Sequence, residues 1–195
     1  MRKIVISESQ YKRILCETND EPTEVKGVIF DFDYTLFDTD AVQDVRRIAR
    51  HTKGSAKQKA LAWEQAYQYV GECVPYNGIN ELLEFLQKKG IPCCVVSMCK
   101  PEFVIRTLKA FGMPNMAVYG ASRPYMPKSK GMSKFVASIG AKPEECISIG
   151  DRASDGSESQ KASVKFIGCS WGNGHDDDKI TNGLRSPMDV IKYIS

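Results

Sequence analysis

No apolar run in the chain approaches the roughly 20 residues that a membrane-spanning helix needs, and Met1 to Gln10 lack the apolar core of a secretion signal. Charge of one sign is also scarce. A net charge of +3 gives no electrostatic footprint for nucleic acid or a membrane surface. Internal repeats and low-complexity segments are absent, which sets aside solenoids and extended linkers. The seven cysteines are an odd number with neither C-x-x-C nor Cys/His metal spacing. Cys93, Cys94, Cys146 and Cys169 lie inside apolar runs, so buried reduced thiols in a cytoplasmic protein are expected. What remains is ordinary: 195 residues, 42% hydrophobic and 26% charged, enough for one domain or one domain with a small insert.

The stretch Gly27 to Asp38 organises the rest. Gly27 to Phe30 has no polar alternation and reads as a strand buried on both faces. It ends in Asp31 and Asp33, with Thr35 two residues on. Carboxylates do not continue a buried strand, but the C-terminal end of a central strand is where open α/β sheets place ligands.

Two helices are expected at Ala41–Arg50 and Ala56–Val70, around a Lys53-Gly54-Ser55 break. Trp63, Tyr67 and Val70 form one apolar stripe, expected to pack the two helices together. After a turn at Pro75–Gly78 come a helix from Ile79 to Lys89, a strand at Ile91–Ser97 and a helix at Pro101–Phe111. A weak strand at Met116–Tyr119 and a helix from about Gly131 to Ile139 follow. Cys146–Ile149 is the third buried strand and ends in Gly150-Asp151. A helix near Asp155–Lys161, a strand at Val164–Gly168 and a helix at Pro187–Ile194 close the pattern. Residues 1–24 read as an appendage and linker, with a short strand at Arg2–Ile6 and a helix capped at Ser7. Strands alternating with helices call for a Rossmann-like α/β fold, three layers α/β/α around a central parallel sheet.

Three of these strands end in reactive side chains: Asp31 and Asp33, then Ser97, then Asp151 with Asp155 four residues beyond. One sheet edge would bring them together. Carboxylates so crowded repel one another, and a hard divalent cation relieves the repulsion. Mg²⁺ typically takes one or two carboxylates and completes its shell with water and substrate phosphate. The cluster therefore implies a metal and an anionic substrate.

These residues resemble the motifs of the haloacid dehalogenase superfamily. Asp31-Phe32-Asp33-Tyr34-Thr35 matches D-x-D-x-T; Val95-Val96-Ser97 matches an apolar strand ending in Ser or Thr; Gly150-Asp151-Arg152-Ala153-Ser154-Asp155 matches G-D-x-x-x-D. A lysine upstream of the last motif completes the set. Lys128 is favoured for its spacing to Asp151 and a position in the loop before the helix, with Lys130 the alternative. The resemblance implies a Mg²⁺-dependent phosphatase acting on a small phosphorylated substrate. In it Asp31 is the nucleophile and Asp33 the acid and base. Ser97 and Lys128 bind phosphate, and Asp31, the Asp33 carbonyl, Asp151 and Asp155 serve the metal, the last through water or from behind.

The resemblance further implies a small helical cap at residues 40–74, inserted in a core formed by 25–39 and 75–195, with an end like that of phosphoglycolate-phosphatase-like members. Within the insert Arg46, Arg47, Arg50, His51 and Lys53 read as a solvated basic face, with contact to an anionic substrate the alternative; the His175–Asp178 loop reads as solvated too, with a second metal the alternative. Two other readings stay open: a nucleotide or nucleic-acid-end phosphatase, which would need a basic, aromatic-lined groove, and a non-catalytic binding module. A nucleic-acid partner is not expected, no membrane is expected, and the oligomeric state stays open.

Overall fold

The computed structural model describes residues 24–120, 126–172 and 178–194. The expected strand and capped helix at the N-terminus, and His175 to Asp177 of the acidic loop, lie outside the described residues. Five strands form one sheet in the order β5-β4-β1-β6-β7. They are β1 (Gly27–Phe30), β4 (Cys93–Ser97), β5 (Ala117–Gly120), β6 (Cys146–Gly150) and β7 (Lys165–Gly168), all parallel to their neighbours. β1 sits in the middle, with Phe30 opposite Val95 on one side and Ile149 on the other. A strand paired on both edges and covered on both faces has no use for polar alternation, which is why its residues read as a continuous apolar run.

Successive side chains of β1 enter two different cores. Val28 and Phe30 join Ile79, Leu82, Leu83 and Leu86 of α3 (Ile79–Lys88), Phe103 and Val104 of α4 (Pro101–Ala110), and Val190. Ile29 joins Met132, Phe135 and Val136 of α5 (Lys128–Ser138) and Val164 beyond α6 (Ala153–Lys161). The sheet is thus the middle of three layers. Burying a side chain such as Phe30 contributes about 1.5–3 kcal/mol, and a single cavity in either core would be felt throughout the sheet.

Two differences from the expected elements have simple causes. The segment Pro187–Tyr193 is a 3-10 helix, begun by Pro187 after Ser186, whose hydroxyl accepts from the Met188 N–H. The insert is framed by a short ladder that periodicity does not show: β2 (Phe37–Asp38) pairs antiparallel with β3 (Val74–Pro75). Two-residue strands carry too few positions for an alternating pattern to register. Between them lie a 3-10 turn (Asp40–Val42), α1 (Gln43–His51), α2 (Ala56–Tyr67) and a second 3-10 turn (Val70–Glu72). Ser55 opens α2 with a capping box, accepting from the Gln58 N–H while the Gln58 side chain accepts from the Ser55 N–H.

The two insert helices pack on each other, and the stripe also reaches the core. Trp63 and Tyr67 stack on each other at 6.0 Å, but Tyr67 also faces Phe103 of α4 at 6.4 Å. Lys100 lies over both insert rings and Arg106 over Tyr67. Through Tyr67 the stripe joins the insert to the core helix α4.

Candidate active site

Asp31 is placed by the last rung of the sheet, where its N–H donates to the Ile149 carbonyl at 2.9 Å. The chain then doubles back. Leu36 and Phe37 N–H both reach the Phe32 carbonyl, and Tyr34 N–H reaches the Phe37 carbonyl at 2.8 Å. Closing this loop puts Tyr34 at φ 59°, a left-handed conformation uncommon for an aromatic residue. Gly172 packs directly on that turn; a β-carbon there would collide with the Tyr34 carbonyl oxygen. Trp171 clamps the same loop, its indole N–H donating to the Thr35 carbonyl at 2.9 Å.

The other residues arrive from neighbouring strand ends. Ser97 closes β4 and is buried; its Oγ accepts from the Cys99 N–H at 3.0 Å, which leaves the hydroxyl proton for another acceptor. Asp151 follows β6 and is 1% exposed, with the Thr35 hydroxyl 3.5 Å from its Oδ1. Asp155 stands in the first turn of α6, where its Oδ2 accepts from the Arg152 N–H at 3.2 Å.

Lys128 binds the cluster together. Its Nζ donates to Asp155 Oδ1 at 2.6 Å and lies 2.7 Å from Asp31 Oδ1, at an angle that makes the second contact an ion pair more than a directed hydrogen bond. The expectation that Lys128 sits in a loop is corrected: it is the first residue of α5, which starts three residues before Gly131. Pro127 allows this, since it needs no N–H partner and its carbonyl accepts from the Lys130 and Gly131 N–H groups. Lys130 is exposed.

Burial raises the Asp31 carboxyl to about 7; Lys128 opposes the rise, while Asp155 and Asp33 add to it. Burial likewise raises Asp151 to about 6, with Asp155 contributing. Burial alone would lower the Lys128 ammonium, yet Asp31 and Asp155 more than reverse this and hold it above its ordinary value.

Asp31, Asp151 and Asp155 each offer a carboxylate oxygen within 4.8 Å of the others, all buried, and could together hold a metal ion. Asp151 Oδ2 is buried without a hydrogen-bond partner, and the charge it faces is the Arg152 Nε at 3.9 Å, beyond hydrogen-bond reach. Such an oxygen costs free energy unless something positive meets it. Hard oxygen donors with no thiolate or imidazole among them suit Mg²⁺ rather than zinc.

Asp33 is reached by residues that follow β2. Its Oδ1 accepts the Thr39 hydroxyl at 2.7 Å and lies 2.7 Å from Arg46 Nη2. The expectation of a solvated basic face therefore fails at Arg46, which is buried, while Arg47 and Arg50 are exposed. Sequence reading singled out Arg46 only as one of a basic cluster and passed over Thr39, and it tied neither to Asp33. The available signal was helical spacing, since Arg46 shares the face of Val42 and Ala49.

The chain matches the haloacid dehalogenase-like hydrolase family over residues 43–169. Pyrophosphatase PpaX of Halalkalibacterium halodurans is 27% identical over 128 residues, and the match spans 60% of this chain and 60% of that relative. Among solved structures, a haloacid dehalogenase-like hydrolase from Streptococcus pneumoniae superposes with a TM-score of 0.66 at 17% identity, covering 88% of this chain and 99% of that one. A structure described as a predicted phosphoglycolate phosphatase from Haemophilus somnus gives 0.65 at 17% identity, covering 88% and 98%. At such identities the structural likeness speaks to fold alone. No helix among the described residues is long and apolar enough to cross a membrane.

Proposed function

The chain belongs to the haloacid dehalogenase-like hydrolase family, and from that premise we propose that it is a Mg²⁺-dependent phosphatase that hydrolyses a small phosphomonoester through an aspartyl-phosphate on Asp31. The observation that carries this reading is the meeting of Asp31, Lys128, Asp151 and Asp155 at one sheet edge, with an ammonium that is 12% exposed bridging two of the carboxylates.

In the first step an Asp31 oxygen attacks phosphorus, forming the acyl phosphate as the bond to the leaving oxygen breaks. Asp33 gives its proton to that oxygen, which matters because an alkoxide is a poor leaving group. In the second step water attacks the acyl phosphate, Asp33 takes the water's proton, and phosphate leaves with Asp31 restored. Ser97 donates its free hydroxyl proton to a phosphoryl oxygen, and Lys128 offsets the charge that gathers on the transferring group. Asp31, Asp151 and the Asp33 carbonyl would hold Mg²⁺, with Asp155 behind them, and the bound ion would supply positive charge against the carboxylates and the phosphoryl oxygens. Asp155 supports from behind because Lys128 and the Arg152 N–H already occupy both its oxygens.

The deciding experiment is a screen with and without Mg²⁺ over sugar phosphates, phosphoglycolate, nucleotides, 3′-phosphorylated DNA and pyrophosphate, the last because one relative is called a pyrophosphatase. The expected result is Mg²⁺-dependent phosphate release from a small monoester, lost in Asp31→Asn with the fold intact. A folded Asp31→Asn protein with near wild-type turnover would overturn the reading.

A further inference from the structure

Helix α1 turns an arginine inward and an isoleucine outward. Arg46 is 2% exposed, and Ile48 on the same helix is 62% exposed. Taking a guanidinium out of water costs several kcal/mol unless its donors are met. Arg46 is met from three directions, Nη2 by Asp33 Oδ1 at 2.7 Å, Nη1 by Cys99 Sγ at 3.5 Å and the guanidinium carbon by the Phe103 ring at 5.3 Å, while its Nε is buried without a hydrogen-bond partner among the described residues. The core side of this cradle, Cys99 and Phe103, lies just after β4 and in α4.

The same Asp33 oxygen also receives the Thr39 hydroxyl, whose Oγ1 accepts in turn from Gln43 Nε2 at 3.1 Å. Two donors therefore occupy Oδ1. Asp33 Oδ2 makes no hydrogen bond among the described residues, and the side chain keeps 22% exposure. A carboxyl on a short loop otherwise turns freely about its side-chain torsions, and a misplacement of about 1 Å can cost roughly 10²-fold in rate.

We propose that Arg46, assisted by Thr39, is the positioning residue for Asp33. It fixes Oδ1, so that Oδ2 is the oxygen that exchanges the proton with the leaving group and with water. Because Arg46 rides on α1 and the proton donor stands on the core loop, the alignment exists only while the insert is docked. The reading rests on the assignment of Asp33 as acid and base. An arginine suits the task better than a lysine, since its planar fork holds Asp33 and Cys99 at once.

The test uses the full-length protein and compares kcat/KM on two esters: the best alkyl phosphate from the screen and p-nitrophenyl phosphate. This ratio covers only steps up to departure of the leaving group, so water activation does not enter. The alkoxide needs a proton on departure, and the nitrophenolate does not. Asp33→Asn should lower kcat/KM on the alkyl ester by about 10²-fold or more, and on the aryl ester far less. Arg46→Met should copy that selectivity, losing at least about tenfold on the alkyl ester and less than about threefold on the aryl one, and should add nothing to Asp33→Asn in the double variant. Arg46→Lys and Thr39→Val should lose selectively to a smaller extent, and they carry the comparison if Arg46→Met does not fold. An equal fall on both esters in the arginine variants, beside a selective fall in Asp33→Asn, would overturn the positioning role. A non-selective Asp33→Asn would instead overturn the assignment of Asp33, and the proposal with it.

Discussion

A β-carbon on Gly150 would stand 2.6 Å from Asp155 Oδ2 and 2.7 Å from its Cβ. The glycine at the end of β6 is therefore what lets the Asp155 side chain fold back over the strand, between Lys128 and the Arg152 N–H. Gly150→Ala should displace Asp155 and release Lys128 from half of its bridge. The expected outcome is a folded protein less stable by about 1–3 kcal/mol, with a larger loss in kcat than Tm alone explains. Urea unfolding beside steady-state kinetics checks this, and unchanged kcat would show that Asp155 does not depend on the missing β-carbon.

The carboxylate cluster predicts an inverted mutational effect. Asp31 is raised from 3.8 to about 7 by burial first, and Asp151 to about 6 by burial with Asp155. Below pH 3.8 folded and unfolded chains both hold these protons, and nothing is lost. Between there and about 7 the unfolded chain has released the Asp31 proton while the folded one keeps it, so metal-free stability falls as pH rises and then levels off. Asp151→Asn should thus raise Tm of the metal-free protein above neutral pH and abolish the rise that Mg²⁺ produces in the wild type. A metal-free Asp151→Asn protein less stable than wild type at pH 8 would contradict this.

Glu158 should behave in the opposite sense. Lys161 first and the Ser129 N–H second lower its carboxyl from 4.5 to about 2, and the second contact ties α6 to the start of α5 at 2.9 Å. The stabilisation is present above pH 4.5 and disappears as pH falls toward 2. Glu158→Gln should flatten that part of the acid unfolding curve. An unaltered curve would mean that the tie contributes nothing.

Within the insert, neighbouring residues should respond very differently. Tyr67 is 5% exposed between Phe103, Lys100 and Arg106, so Tyr67→Ala should cost about 3–5 kcal/mol. Among the described residues Arg47 pairs with the exposed Asp44, and replacing Arg47 and Arg50 by alanine should change stability by no more than about 0.5 kcal/mol each. Thermal melts of the two variants decide it.

The buried strands were legible because a parallel sheet covered on both faces writes its strands as uninterrupted apolar runs, as at Val28–Phe30 and Val95–Val96. The residues at their ends were legible for the complementary reason: Asp31, Ser97 and Asp151 are polar groups where an apolar run stops. Arg46 was not, because composition placed it in a basic run with Arg47 and Arg50, and only the helical phase separates them. The start of α5 was missed since a lysine-rich opening carries no apolar period, and the Pro127 carbonyl does the work instead. Nothing local could reveal Gly172 against Tyr34, a contact between residues far apart in the chain.

The ladder of β2 and β3 has two rungs, Phe37 with Pro75 and Asp38 with Val74, and stands apart from the five-stranded sheet. The chain leaves and re-enters the domain side by side at one doorway. The segment between those rungs is no free passenger, because Val42 and Tyr67 belong to the main core and Arg46 and Tyr67 lie on Cys99 and Phe103. Exchanging residues 40–72 for a foreign segment would uncover that face of α4, even though the rungs of the five-stranded sheet lie elsewhere.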